Sequence, residues 1–190
     1  MPARFFDLSF ETRPGRVFVP RSTTEPLVAA ALVRIGDRAA RVADVGTGSG
    51  AIAVAIASHA PLAEVWATDA STEAAELAAE NARAHGVDDR VHVGAGDLLL
   101  GLPRDLDIVL ANLPYLPDSP PDPSYEGEPE TAVYGGEDGL EPYRRLLAQA
   151  ADHLVANGGV ILQLHGEILE AERHELPSLA TRLETLAAAA

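Results

Sequence analysis

Residues 41–58 dictate most of what this chain can become. A short apolar run, Arg41 to Val45, turns through Gly46-Thr47-Gly48-Ser49-Gly50 into a second apolar stretch, Ala51 to Ser58. That pattern reads as a buried strand, a tight turn and a buried helix, because glycine enters the left-handed conformations of such a turn at no steric cost. The alternation then recurs. Glu64 to Thr68 reads as a second strand, and Ser71 caps an Ala-rich helix that stops at Gly86. Arg90 to Val93 reads as a third strand, and Leu106 to Ala111 as a fourth, apolar enough to be covered on both faces. Tyr143, Leu146, Leu147, Ala150 and Leu154 share a helical face, closed by Asn157-Gly158-Gly159 ahead of a fifth strand, Val160 to Leu164. Upstream, Val17 to Val19 is β-prone, and Ser22-Thr23-Thr24-Glu25 fits a capping box opening a helix with Val28, Leu32 and Ile35 on one face. A last helix is expected from near Glu167.

Strands alternating with helices predict an α/β fold, a doubly wound and mostly parallel sheet with ligands at the carboxyl ends of its strands. A single domain is expected over 1–190. It divides into an N-terminal strand and helix (1–40), a core (41–165) and a C-terminal helix or tail (166–190).

Composition narrows the function classes. With 190 residues, 47% of them hydrophobic, the chain can bury one sizeable core. The absence of Cys excludes disulfides, thiolate metal sites and a Cys nucleophile, and fits a reducing, cytoplasmic setting. No apolar h-region opens the sequence. The longest uncharged run, Val45 to Ala63, carries three glycines, His59 and Pro61, so no membrane span is expected. A net charge of -15 with no Lys repels a phosphate backbone and disfavours nucleic acid as a partner. The six His residues lack metal-ligand spacing, and no metal is expected. Ser49 is not in a Gly-x-Ser-x-Gly elbow, which removes a hydrolase. The acids of the proline-rich segment Pro117 to Pro129 read as solvated surface, as does His165.

The glycine turn is a candidate ligand cradle. Free N–H groups at a helix start hold carboxylate or phosphate groups. Asp69 ends the next strand, where its carboxylate can accept from ribose hydroxyls while carrying little packing, and Asp97 ends the third, within reach of an adenine amino group. Gly46-x-Gly48-x-x-Ala51 also satisfies the dinucleotide fingerprint, so a dehydrogenase stays open at this point.

Asn112-Leu113-Pro114-Tyr115 follows the fourth strand and brings a different chemistry. A planar amide is a poor nucleophile, because its nitrogen lone pair is delocalised. The side-chain carbonyl of Asn112 and the main-chain carbonyl of Leu113 can accept its two hydrogens, aim the nitrogen and favour the charge that develops on it. Tyr115 can close over the planar group. A proline at position 113 would keep that carbonyl and only stiffen the loop.

The sequence resembles the HemK/PrmC family of protein-glutamine methyltransferases, which carry Asn-Pro-Pro-Tyr at this place. Four blocks carry the resemblance: Val19 to Glu25, Asp44 to Gly50, Asn112 to Tyr115, and Glu128-Pro129 through Ala132-Val133, Gly135-Gly136, Asp138-Gly139-Leu140 and Tyr143-Arg144. It implies a Rossmann-like, class I methyltransferase fold using S-adenosyl-L-methionine and modifying the Gly-Gly-Gln loop of a class-1 peptide release factor. Carried over by position, the cofactor-binding set is Asp44, Gly46, Thr47, Gly48, Gly50, Asp69, Ala70, Asp97, Leu98 and Asn112. The catalytic set is Asn112, Leu113, Pro114 and Tyr115, and Pro20, Arg21 and Thr24 shape the substrate pocket. Bacterial members carry a helical domain ahead of the Val19 block, expected here to be absent, with a small activator subunit a candidate for that role. The family's C-terminal β-hairpin is expected to be incomplete. Adenine methylation in nucleic acid, small-molecule methylation and a non-catalytic cofactor-binding module are the alternatives.

Overall fold

The computed structural model describes residues 2–118 and 122–187. An antiparallel hairpin of β1 (Ala3–Phe5) and β2 (Leu8–Phe10) leads to a 3-10 turn (Ser22–Thr24) and α1 (Glu25–Ile35). Then follow β3 (Ala40–Val45), α2 (Ala51–His59), β4 (Ala63–Asp69), α3 (Thr72–Ala84), β5 (Val91–Ala95) and β6 (Leu106–Ala111). The chain finishes through α4 (Glu141–His153), β7 (Leu154–Leu164), β8 (Glu167–Glu172) and α5 (Leu176–Ala187). The main sheet runs β5-β4-β3-β6-β7-β8, parallel throughout except for β8, which is antiparallel to β7.

Side chains alternate across this sheet with period two, and each face finds its own helices. Val42, Ile108, Leu110 and Ile161 pack with α1 and α2, whereas Ala43, Val45, Val109, Ala111 and Leu162 pack with α4 and α5. Both faces being covered explains why β3 and β6 are apolar almost end to end. In α2 every residue from Ala51 to Ala57 is buried, because α1, α3 and the sheet all press on it, and its alternating alanines let them approach.

Several expectations fail at the level of local structure. Residues 17–19 form no strand; Val17 instead packs on Ala74 and Leu77 of α3. The capping box at Ser22 does not form, since neither Arg21 nor Thr24 caps with its side chain and the Glu25 carboxylate accepts from Phe6 N–H at 3.1 Å. The helix carrying Tyr143 ends at His153, so Leu154 already belongs to β7 and the Asn157-Gly158-Gly159 stretch lies inside that strand. No helix starts at Glu167. Residues 167–172 pair strand-to-strand with β7 through a two-residue turn, His165 and Gly166, both at positive φ. One strand is thus added beyond β7, the last helix begins at Leu176, and among the described residues no strand follows that helix, so the strand pair expected beyond the fifth strand is incomplete. The N-terminal hairpin was not anticipated; Asn81 of α3 ties the segment after it to the core, exchanging bonds with the main chain of Glu11 and donating to Ser49 O at 2.8 Å. Among the described residues no helix is long and apolar enough to cross a membrane.

Gly50 joins the glycine turn to α2. Its φ is +79°, and a Cβ there would lie 2.9 Å from both Cα and Cβ of Ala78 on α3. Left-handed backbone costs a non-glycine residue about 1–2 kcal/mol and overpacking a further ~1–3 kcal/mol. Gly50→Ala should therefore lower unfolding free energy by roughly 2–4 kcal/mol in urea titration. A midpoint equal to that of the wild type would mean that α2 and α3 are not packed this closely.

Candidate active site

The sheet reverses its winding direction between β3 and β6, and the two strands stay in register there, with Val45 beside Ala111. Loops leaving such a switch point part to opposite sides and open a crevice. A cavity of about 700 Å³ occupies this crevice. Its wall includes Gly46, Thr47, Gly48, Asp69, Ala70, Asp97 and Leu98 on one side, and Asn112 to Tyr115 with Pro20, Arg21 and Thr24 on the other. Residues from five separate segments of the chain thus meet in one crevice.

Asp44 and Gly50 do not line the cavity. Gly50 serves helix packing. Asp44 lies beneath the turn, wholly buried, with Oδ2 accepting from Thr47 Oγ1 at 2.6 Å and from Ala53 N–H at 3.1 Å in the first turn of α2. Burial, opposed by those two bonds, pushes its carboxyl up to about 7, and Oδ1 is left without a partner.

Asp69 is more structural than its position suggested. One oxygen accepts from Gly48 N–H and the other from Ser71 N–H, each at 2.9 Å, so the carboxylate stitches the glycine turn to the start of α3. Burial raises its pKa. A carboxylate offers about four lone-pair directions, which leaves acceptor capacity facing the cavity. Asp97 sits just past the end of β5 and is ion-paired with Arg145 of α4 at 2.5 Å, a partner 48 positions away that no local pattern announces.

The Asn112 tetrapeptide is held from three sides. Asn112 Nδ2 donates to Thr24 Oγ1 at 3.0 Å, which leaves its Oδ1 as the end available to a ligand. The fully buried Tyr143 hydroxyl accepts from Leu113 N–H at 3.2 Å; its oxygen lies 2.5 Å from the Gln163 main-chain oxygen and 3.0 Å from that of Leu113, the two carbonyls to which it can donate. A carbonyl oxygen has two lone pairs, so Leu113 O retains capacity for another donor. A proline at 113 would lose the N–H that Tyr143 accepts, so the ring would do more than stiffen the loop. Leu113 instead packs over Gly46, where a Cβ would lie 2.7 Å from its Cδ2.

Behind the tetrapeptide lies the fourth sequence block. Leu116 N–H donates to Val133 O and Gly135 N–H to Leu116 O, at 3.1 and 2.8 Å. Gly139, at φ +77°, lies so close that any Cβ would overlap the Tyr115 carbonyl. Gly135 and Gly139 are thus required by backbone-to-backbone contact.

An aromatic and charged clamp roofs the pocket. The Arg21 guanidinium stacks 4.6 Å from the Tyr125 ring and 5.0 Å from that of Phe18, and pairs with Glu128, whose other oxygen accepts from Val19 N–H. Glu128, with only 10% of its side chain exposed, is therefore not solvated surface. Tyr115 shares a 3.0 Å hydrogen bond with Tyr125, and burial raises its pKa. His165 is a wall residue as well, its ring edge-on to Tyr115 at 5.0 Å and its pKa lowered by burial. Sequence reasoning missed Arg145, His165 and Gln163, since each reaches the site by strand pairing or helix docking that leaves no local pattern.

The family model described as methyltransferase small domain matches residues 23–121, just over half of the chain. A release factor glutamine methyltransferase of Deinococcus radiodurans is 41% identical over 178 residues, covering 92% of this chain and 61% of that protein. A ribosomal protein uL3 glutamine methyltransferase of Bradyrhizobium diazoefficiens is 37% identical over 179 residues, covering 86% of this chain and 56% of its own. The chain thus spans roughly three-fifths of the length of the curated relatives it matches, 61% and 58% for two of them. Among solved structures, a ribosomal protein L11 methylase from Lactobacillus delbrueckii subsp. bulgaricus aligns with a TM-score of 0.60 at 26% identity, over 90% of this chain and 72% of that one. With the glycine turn and the tetrapeptide meeting in one crevice of this sheet, the chain belongs to the methyltransferase small domain family.

Proposed function

We propose that the protein transfers a methyl group from S-adenosyl-L-methionine to the side-chain amide nitrogen of a glutamine in another protein, with a class-1 peptide release factor as the leading substrate. The observation that carries this reading is the Asn112–Leu113 pair: two carbonyl oxygens, one fixed by the Thr24 tether and one by Tyr143, at the edge of the same cavity that the glycine turn opens into. A primary amide has two N–H groups to give, and this pair accepts two.

The residues present fit the cofactor. Gly48 leaves open space where a side chain would stand, Asp69 keeps acceptor capacity, and Asp97 lines the cavity as a paired carboxylate. S-adenosyl-L-methionine, when bound, supplies an electrophilic methyl group. Everything else falls to the protein. Gly46, Thr47, Gly48, Asp69, Ala70, Asp97 and Leu98 would hold the cofactor. Asn112 Oδ1 and Leu113 O hold the acceptor nitrogen's hydrogens, and their hold tightens as positive charge builds on that nitrogen; with the nitrogen–carbon bond formed and the methyl–sulfur bond broken, one of those hydrogens is given up as a proton to solvent as the product leaves. Tyr115, neutral and walled by His165 and Tyr125, gives the planar amide a face to lie on and keeps water out. The likeness to relatives named for release factor and ribosomal protein glutamine methylation supports a protein acceptor.

Incubation with labelled S-adenosyl-L-methionine and a release factor should place one methyl group on the glutamine of its Gly-Gly-Gln loop, located by digestion and mass spectrometry. Asn112→Ala should lower kcat by about 10²–10³-fold with cofactor affinity little changed, as for loss of one preorganised group around a developing charge. Transfer at the wild-type rate by that variant would make the tetrapeptide a structural turn.

Asp69→Ala is a separate test of the cofactor side. Loss of charge-assisted hydrogen bonds should weaken S-adenosylhomocysteine binding by roughly 1.5–3 kcal/mol in calorimetry. Because Gly48 and Ser71 lose an acceptor together, the melting temperature should fall too. Unchanged affinity with a lowered melting temperature would leave Asp69 a structural residue only.

A further inference from the structure

One polar atom of a cavity-lining residue has no hydrogen-bond partner among the described residues. Gln163, near the end of β7, is 2% exposed, and its Nε2 donates to the main-chain carbonyl of Thr23 at 3.2 Å. A carbonyl only accepts, so chemistry alone requires the amide to present its NH2 to Thr23 and its oxygen elsewhere. That oxygen, Oε1, is buried without a hydrogen-bond partner, while Gln163 lines the cavity. A buried carbonyl left unpaired is costly, and such a group in a native fold points to something that binds it.

Its position says what that is. Ala111 of β6 pairs with Leu162 of β7, so Asn112 and Gln163 follow side by side. Both amides are tied by their NH2 ends to adjacent residues of one 3-10 turn, Asn112 to Thr24 and Gln163 to Thr23. The same tethering leaves both oxygens for the ligand. Tyr143 adds rigidity by bonding the main chain at Leu113 and at Gln163. Three residues that line the cavity side by side thus each carry an acceptor oxygen: Asn112 Oδ1, Leu113 O and Gln163 Oε1, the last just beneath the surface.

We propose that Gln163 is a specificity-determining residue whose Oε1 accepts a main-chain N–H of the substrate peptide, beside the acceptor glutamine. The proposal rests on the amide-methylating reading above and extends it. Two oxygens take the side-chain amide hydrogens; the third needs a different donor, and a polypeptide brings main-chain N–H groups wherever it brings a glutamine. The pocket then favours a glutamine embedded in a peptide over a free carboxamide, and repels the carboxylate of a glutamate.

The test uses a Gly-Gly-Gln peptide with the wild type and Gln163→Met, a substitution that keeps length and removes the acceptor. Gln163→Met should lower kcat/KM for the peptide at least about tenfold, mainly through KM, with affinity for S-adenosylhomocysteine unchanged, the loss matching one hydrogen bond of ~1.4 kcal/mol. A second arm needs no variant: peptides N-methylated on the main chain at the glutamine or either neighbour should include one that loses a similar factor with the wild type. Equal kcat/KM for Gln163→Met and the wild type, or indifference to every N-methylation, would overturn the proposal. If the wild type methylates no glutaminyl peptide and no release factor, the amide-methylating reading falls, and this inference with it.

Discussion

The parallel pairing of β3 with β6 is the constraint on which the site depends. Because Val45 and Ala111 end in register, the turn after one strand and the tetrapeptide after the other leave the sheet side by side. A slip of one residue would turn every side chain of β6 to the opposite face and carry Asn112 away from Thr24. The near-complete burial of both strands resists that slip, since Ile108 and Leu110 belong with α1 and α2 while Val109 and Ala111 belong with α4 and α5.

On that frame the chemistry is fixed by contacts long in sequence. Thr24 reaches Asn112 across 88 positions, and Thr23 reaches Gln163 across 140. The Tyr143 hydroxyl, buried at the centre, joins the tetrapeptide to the end of β7. The Gly135 to Gly139 segment backs the same loop with main-chain contacts that leave no room for a Cβ. Together they hold carbonyl oxygens, and few donors, towards the acceptor side of the cavity. That polarity selects for N–H donors before any shape is read.

Much of this was legible locally. The glycine turn, the buried strands and the tetrapeptide announce themselves in patterns shorter than ten residues, where periodicity and turn chemistry speak directly. What was misread turned on tertiary pairing. Glu167 to Glu172 is rich in helix formers, yet His165 and Gly166 turn the chain back onto β7, and the ladder outweighs propensity. Glu25 looked like half of a capping box and instead anchors the N-terminal hairpin. Asp69 looked free for a ligand, whereas it also closes two loops. Gln163 and Tyr143 carried no signal of their roles, because both act on residues that only the folded sheet brings near.

The central claim is that carbonyl oxygens at Asn112 and Leu113 hold the methyl-acceptor amide. A crystal structure of the protein with S-adenosylhomocysteine and a glutaminyl peptide measures this directly. The account predicts the glutamine side-chain nitrogen within about 2.7–3.2 Å of both Asn112 Oδ1 and Leu113 O. A nitrogen turned away from both oxygens, with the peptide seated elsewhere on the surface, would contradict it.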